Sequence, residues 1–74
     1  MKVTPLSRCI ASEIRAEMAR QGVRASDLAP QVGLSLPTLY GRLNGKIDLR
    51  LGEVDRIAAA LGLSLSDLLD RTAA

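Results

Sequence analysis

The residues from Ser35 to Asn44, SLPTLYGRLN, combine hydrogen-bonding side chains with apolar ones at helical spacing. Hydroxyl, amide and guanidinium groups are the ones that bind the bases and phosphates of nucleic acids. Lys46 and Arg50 follow shortly afterwards, and Arg24 precedes the stretch. These residue types, gathered on one helix and its flanks, could bind a polyanion.

Catalytic and metal-binding chemistry has few residues to use in this chain. It contains no His and one Cys, and its eight acidic residues are scattered. General acid–base, nucleophilic and zinc sites usually depend on His, clustered Cys or paired carboxylates. The sequence therefore predicts no enzyme, no metal site and no cofactor. Cys9 is expected to be a buried small hydrophobe rather than a reactive thiol, and a lone cysteine fits a reducing compartment.

The positive charge is concentrated in the middle of the chain. Residues 20–50 carry five cations against two carboxylates, whereas residues 51–74 carry two against four. This asymmetry is typical of a polyanion-binding face, although a small protein can also acquire it by chance. No apolar run approaches the ~20 residues of a membrane span, and no secretory signal is visible. We therefore expect a cytoplasmic protein that does not bind membranes.

Five short helices in one domain, residues 1–74, are expected from the apolar periodicity. Thr4 and Pro5 are typical of a helix start, and Gly22 of a helix end. The first helix has an apolar stripe with a four-residue period, made of Leu6, Ile10, Ile14 and Met18.

The second helix is expected to begin at Ser26 or slightly earlier and to run to Gly33. A start at Arg24 would place Pro30 in the helix interior at a cost of roughly 3 kcal/mol, which favours the later start or a kink. Ser35 then caps a third helix, which ends at Asn44.

The third helix buries Leu39 and Leu43. After it, three alternating apolar residues are expected to cover the bottom of the core: Ile47, Leu49 and Leu51. A fourth helix is predicted over about residues 52–61 and a last one over about residues 65–71.

Two short helices joined by a turn that contains Gly form the helix-turn-helix pattern, here over about residues 26–44. With its stretches DLAPQVGLSLPTLYGRLNGK and VDRIAAALGLSLSDLL, the sequence resembles the Cro/repressor-type (XRE-type) DNA-binding domains of phages and bacteria. The similarity covers about residues 10–70. It implies an all-α fold, a compact five-helix lambda-repressor-like bundle. The third helix of that bundle enters the major groove of double-stranded DNA.

The resemblance also implies which residues face the bases. By position these are Leu36, Pro37 and Gly41, none of which can donate a side-chain hydrogen bond. Leu36 and Pro37 are expected to pack on thymine methyl groups, and Gly41 to let the helix backbone approach the groove. Tyr40 and Asn44 are expected to reach base edges or phosphates.

Several of these residues have an equally ordinary alternative. Tyr40 could cover an edge of the core, and Asn44 could be a helix-stop residue only. Arg42 is either a phosphate or base contact or an intramolecularly paired or solvated side chain. Ser35 has a capping role with a possible phosphate contact, and Thr38 is expected to stabilise the helix or to bind phosphate.

Contacts to the DNA backbone are expected from three further cations, with plain surface charges as the alternative: Lys46, Arg50 and Arg24.

Many relatives carry a buried Arg–Glu pair between the first and third helices. The resemblance places Met18 and Leu43 at those positions, so we predict that these two apolar side chains touch, which leaves no buried charge unpaired.

A sequence-specific regulator of transcription is the function that these features favour, namely a repressor similar to a small phage Cro or immunity repressor that occupies operator DNA. A homodimer on DNA is expected, and the sequence leaves the oligomeric state in free solution open, with a monomer as one alternative. The last helix would supply the dimer surface, because it has four leucines, although all of them could be core: Leu63, Leu65, Leu68 and Leu69. The alternative is a protein-interaction module, such as an antitoxin or an adaptor.

Overall fold

Five α-helices and no strand make up the part of the chain, residues 3–73, that a computed structural model of the protein describes. The helices are α1 (Pro5–Gln21), α2 (Ala25–Val32), α3 (Leu36–Leu43), α4 (Leu51–Ala60) and α5 (Leu65–Ala73). α1 packs against α3 and α5, α2 against α3 and α4, and α4 against α5. The predicted all-α five-helix bundle is confirmed.

Side-chain caps fix the helix ends at the predicted residues. Thr4 Oγ1 accepts a hydrogen bond from the Ser7 backbone N–H at 3.2 Å, and Pro5 is the first residue of α1. α5 begins with a reciprocal cap, in which Ser64 Oγ accepts from the Asp67 N–H and the Asp67 carboxylate accepts from the Ser64 N–H. These bonds use backbone donors that would otherwise lack partners.

The buried face of α1 differs from the predicted stripe at its first turn. Leu6 is 58% exposed, and Ser7 takes the inward position instead. Ser7 Oγ accepts a hydrogen bond from the Leu49 backbone N–H at 2.9 Å, so a polar residue is needed there to bind the α3–α4 loop. Cys9 was also predicted to be buried and is exposed. It lies one residue, about 100°, from Ile10 on the buried stripe.

The second helix begins slightly before Ser26, the earlier of the two starts that the sequence allowed. It spans Ala25–Val32, and the backbone N–H of its N-cap residue Arg24 donates to Asp27 Oδ2 at 3.2 Å. Pro30 therefore lies in the helix interior, and the preference for a start at Ser26 was wrong. Because Pro30 and Ser26 are both exposed, the Ser26 carbonyl that lacks its intrahelical donor can bond to water, which limits the cost.

A single aliphatic core joins all five helices. Met18 and Leu43, at 8% and 3% exposure, are both buried in it, in agreement with the alignment of the first helix. Direct contact between the two stays a prediction. The largest side chains with less than 2% exposure are Ile14, Leu28, Val32, Leu39, Ile57 and Leu68.

The loop between α3 and α4 covers the core less than predicted. Leu49 is half-buried and packs on the core, but Ile47 and Leu51 are 49% and 69% exposed. Leu51 is already the first residue of α4, so its side chain follows the helix instead of the alternation of an extended loop. The prediction that all three plug the core was wrong for Ile47 and Leu51.

Most leucines of the last segment serve the molecule's own core. Leu68 is fully buried, and Leu63 and Leu65 are half-buried against the core, whereas Leu69 is 36% exposed. α5 itself continues to Ala73, two residues beyond the predicted end.

Glu17 connects the C-terminal part of α1 to α5. Its carboxylate accepts hydrogen bonds from Gln21 Nε2 at 2.8 Å, Arg71 Nη1 at 2.7 Å and Arg20 Nη2 at 2.9 Å. Gln21 also donates to the Leu61 carbonyl at the end of α4. The bonds from Gln21, Arg71 and Arg20, in that order, lower the pKa of Glu17 from 4.5 to about 2.

Acidification is expected to remove the stabilisation that Glu17 supplies. Because the pKa of Glu17 is lower in the folded state, its contribution is complete above pH 4.5 and is lost as the pH falls towards about 2. Glu17→Gln should therefore be less stable than wild type near neutrality, and the difference in Tm should shrink as the pH falls. Thermal unfolding followed by circular dichroism measures it. A difference in Tm that is independent of pH would contradict this role.

Candidate nucleic-acid interface

The turn between α2 and α3 is short and tightly held. Gly33 adopts φ 72°, the left-handed conformation that ends α2, and the Leu34 N–H donates to the Ala29 carbonyl at 3.2 Å. Leu34 packs on the core. Ser35 then caps α3, since its Oγ accepts from the Thr38 N–H at 3.4 Å. Three residues thus connect two helices that share one core, as the helix-turn-helix pattern predicted.

The outer face of α3 is not covered by the other four helices. Pro37 and Asn44 are exposed and Tyr40 is 48% exposed, as expected for a ring that does not merely cover the core. Leu36 is half-buried and packs on the core, so it offers less apolar surface than expected. Thr38 is half-buried, and its Oγ1 accepts a hydrogen bond from Ser35 Oγ at 2.8 Å.

Gly41 occupies the outermost position of α3. It is two residues from each of the buried Leu39 and Leu43, which corresponds to about 200° around the helix. The side chain of Ile47 lies over it, with Cδ1 3.4 Å from the place where a Cβ on residue 41 would stand. The expected close approach of bare backbone at Gly41 therefore needs correction, because the following loop covers this position.

Arg42 points into the protein instead of towards solvent. Its side chain is 12% exposed, and its Nε and Nη2 donate to the two carboxylate oxygens of Glu53 at 3.0 and 3.3 Å. The structure thus shows the intramolecular pairing that the sequence left open. The assignment of Arg42 to the DNA contacts is corrected, because its guanidinium connects α3 to the start of α4.

The three other predicted cations are exposed at helix starts and in the loop. Arg24 is the N-cap residue of α2, with its Nε 3.5 Å from Asp27, and its side chain is 81% exposed. Arg50 is the N-cap residue of α4, and Lys46 follows the end of α3. Within residues 3–73, neither Arg50 nor Lys46 forms a salt bridge.

Two arginines of α1, which the sequence did not assign to the interface, lie at the C-terminal end of α3. Arg15 Nη1 donates to the Leu43 carbonyl, and Arg8 Cγ is 3.8 Å from the place of a Cβ on Gly45. No described acidic residue forms a salt bridge with either arginine. Their spacing of seven residues, two helical turns, was the available signal. Together with Lys46 they form what we call the basic rim: Arg8, Arg15 and Lys46.

Within residues 3–73, no three His, Cys, Asp or Glu side chains are grouped so that they could hold a metal ion. None of the described helices is long and apolar enough to span a membrane.

In this short two-helix unit, no other helix covers the outer face of the second helix. Within residues 3–73, cations without a salt bridge lie beside it. These features define a helix-turn-helix DNA-binding domain. Residues 13–74 match the family model of the Cro/C1-type HTH DNA-binding domain, and the chain belongs to this family. DNA is therefore the class of partner that the domain binds. No curated protein and no solved structure matches the chain.

Proposed function

We propose that the protein is a sequence-specific regulator of transcription that inserts α3 into the major groove of double-stranded operator DNA. Occupancy of the operator then blocks transcription. The observation that carries this proposal is the uncovered face of α3, where Pro37, Tyr40 and Asn44 are exposed. A major groove about 12 Å wide admits an α-helix, and base edges are accessible there.

The cations around α3 supply the affinity in this proposal. The basic rim lies at the C-terminal end of α3, while Arg24 and the backbone N–H groups of α2 lie at the start of the helix-turn-helix unit. Phosphate contacts from such positions orient the recognition helix without identifying bases. Ser35 adds a hydroxyl at the N-terminus of α3, where the helix dipole favours an anion.

An apolar groove beside α5 supports a homodimer on DNA. Leu6, Leu51 and Leu69 are exposed and line a groove of about 160 Å³ between α1, α4 and α5. Arg50 precedes Leu51 and Asp70 follows Leu69 in the sequence, and no described residue forms a salt bridge with either. A twofold arrangement of two copies would pair these opposite charges around the leucines.

The small size of this groove favours association on DNA over a stable free dimer. Three partly exposed leucines provide far less than the ~800 Å² per partner of a standard interface. Leu51→Lys is expected to reduce the complex from two copies per duplex to one, while Ala59→Lys, on an exposed position of the same helix, should leave two. Sedimentation velocity with a duplex that the wild-type protein has selected from a random pool measures this ratio. Two copies with Leu51→Lys would contradict the groove as the dimer surface.

A protein-interaction module is the second candidate, since the uncovered face of α3 is poor in hydrogen-bonding groups. Fluorescence anisotropy with a pool of random duplexes, at about 50 and about 200 mM salt, separates the two functions. Binding that weakens steeply with salt is expected, and sequencing the retained duplexes then identifies the operator. No binding at low salt by folded protein would overturn the DNA proposal. Salt-insensitive binding to a protein would favour the adaptor.

A further inference from the structure

Ile47 fills the position on α3 where Gly41 has no side chain. The Cδ1 and Cγ1 atoms of Ile47 lie 3.4 and 3.8 Å from the place of the missing Cβ, which is ordinary to close van der Waals contact. Ile47 nevertheless keeps 49% of its surface exposed. The outermost position of α3 therefore presents an aliphatic surface that comes from outside the helix.

Backbone bonds hold this loop against α3. The N–H groups of Lys46 and Ile47 both donate to the Gly41 carbonyl, at 3.0 and 3.2 Å. The next residue, Asp48, accepts from the Thr4 N–H at 2.8 Å and so attaches the loop to the start of α1. Because the loop is bonded on both sides of Ile47, its side chain has a fixed place beside the helix.

We propose that Ile47 is a specificity-determining residue that recognises the 5-methyl group of a thymine. This inference rests on the proposed insertion of α3 into the major groove. An aliphatic side chain cannot satisfy the donors and acceptors of guanine, cytosine or adenine, whereas the thymine methyl is the apolar group that the major groove offers. In this proposal, Ile47 makes the base contact that a side chain at position 41 would otherwise make.

The neighbouring side chains favour the same kind of base contact. Pro37 lies one turn before Gly41 on the outer face, and Tyr40 is adjacent to Gly41 in the sequence. Single exposed apolar residues are common on protein surfaces and mean little alone. Here Ile47 lies over Gly41, the position one turn after Pro37 and next to Tyr40, so we expect the centre of the proposed interface to be apolar.

Replacing single thymines by deoxyuridine tests the inference, because uracil differs only by the missing 5-methyl group. Duplexes retained from the random pool would be resynthesised with each thymine exchanged in turn. Wild type is expected to lose about fourfold in affinity at one thymine per half-site, the effect of one buried methyl group. Ile47→Ala should bind the thymine and uracil forms of that site equally. Ile47→Val, which removes only Cδ1, should show a reduced difference.

Leu51→Ala is the matched control, since it truncates another exposed aliphatic residue away from α3. It can weaken binding through the apolar groove but should keep the discrimination between thymine and uracil. Equal losses for wild type and Ile47→Ala at every thymine would overturn the role of Ile47 and leave the proposed function intact. Wild type that loses no affinity on any exchange would overturn it as well. If the folded wild-type protein retains no duplex from the random pool, both the proposed function and this inference are overturned.

Discussion

Replacing Glu53 with alanine is expected to lower the free energy of unfolding by about 3–5 kcal/mol, the usual cost of removing one partner of a buried ion pair. The side chains of Arg42 and Glu53 are 12% and 7% exposed, so the guanidinium would stay buried without its acceptor. A domain of this size has a total stability of roughly the same magnitude. A large fraction of the variant should therefore be unfolded.

Glu53 also contributes to the start of α4. Its Oε1 accepts from the Arg50 backbone N–H at 2.9 Å, and a negative charge in the first turn favours the helix dipole. Burial raises the pKa of Glu53, but the hydrogen bonds from Arg42 and Arg50 outweigh it and bring the pKa below its usual value. The carboxylate is therefore charged at neutral pH and accepts hydrogen bonds from α3, through Arg42, and from the start of α4, through Arg50, at the same time.

Denaturant unfolding of Glu53→Ala beside Asp55→Ala measures the effect. Asp55 is an exposed carboxylate on the same helix, and its removal should change the stability by no more than about 0.5 kcal/mol. The double variant Arg42→Met, Glu53→Leu should recover much of the loss, because no buried charge is then left alone. Equal stability of Glu53→Ala and Asp55→Ala would show that the pair contributes nothing.

Removing two charges of the basic rim, in Arg8→Gln, Lys46→Gln, is expected to weaken DNA binding on the order of 30-fold per bound protomer near physiological salt. Each phosphate contact contributes about 0.9 to the slope of log K against log salt, so the slope should fall by about two for each protomer on the duplex. Arg8 and Lys46 are exposed, and no described residue forms a salt bridge with them. Their loss should therefore leave stability nearly unchanged.

Arg20→Gln is the matched control for Arg8→Gln, because it removes the same charge from an exposed position of the same helix. Arg20 faces Glu17 on the α5 side of α1, so its removal should leave the salt slope unaltered. Arg42→Met, compared at equal folded fraction, should also keep the slope, since its guanidinium is bound to Glu53. A double variant with the wild-type slope would exclude the basic rim from the interface.

Local signals in the sequence were sufficient to predict the five helices, although not all of their bounds, and the helix-turn-helix unit. Thr4, Ser35 and Ser64 each begin a helix by capping it, as their side-chain chemistry requires. Gly22 and Gly33 each end one in the left-handed conformation. These interactions lie within one or two turns of chain, so composition and spacing determine them. The family resemblance is also visible in the sequence, in the helix-turn-helix unit and the segment that follows it.

The composition of the proposed interface depends on contacts between distant parts of the chain. Arg42 lies near the boundary between the inner and outer faces of α3, where helical periodicity permits either direction. Only the position of Glu53 on α4 directs it inward. Likewise, the alternation of Ile47 with Leu49 predicted burial, but the Gly41 carbonyl binds the loop so that Ile47 covers α3.

Arg8 and Arg15 illustrate the same limit. Their spacing places them on one face of α1, but the sequence does not specify which helix that face meets. The packing of α1 against α3 brings them to Leu43 and Gly45. Local hydrogen bonding and periodicity thus determined the helices and the turn of this protein. Its tertiary structure decided which cations are paired, which are free, and which side chain covers the centre of α3, because those outcomes depend on neighbours far away in the sequence.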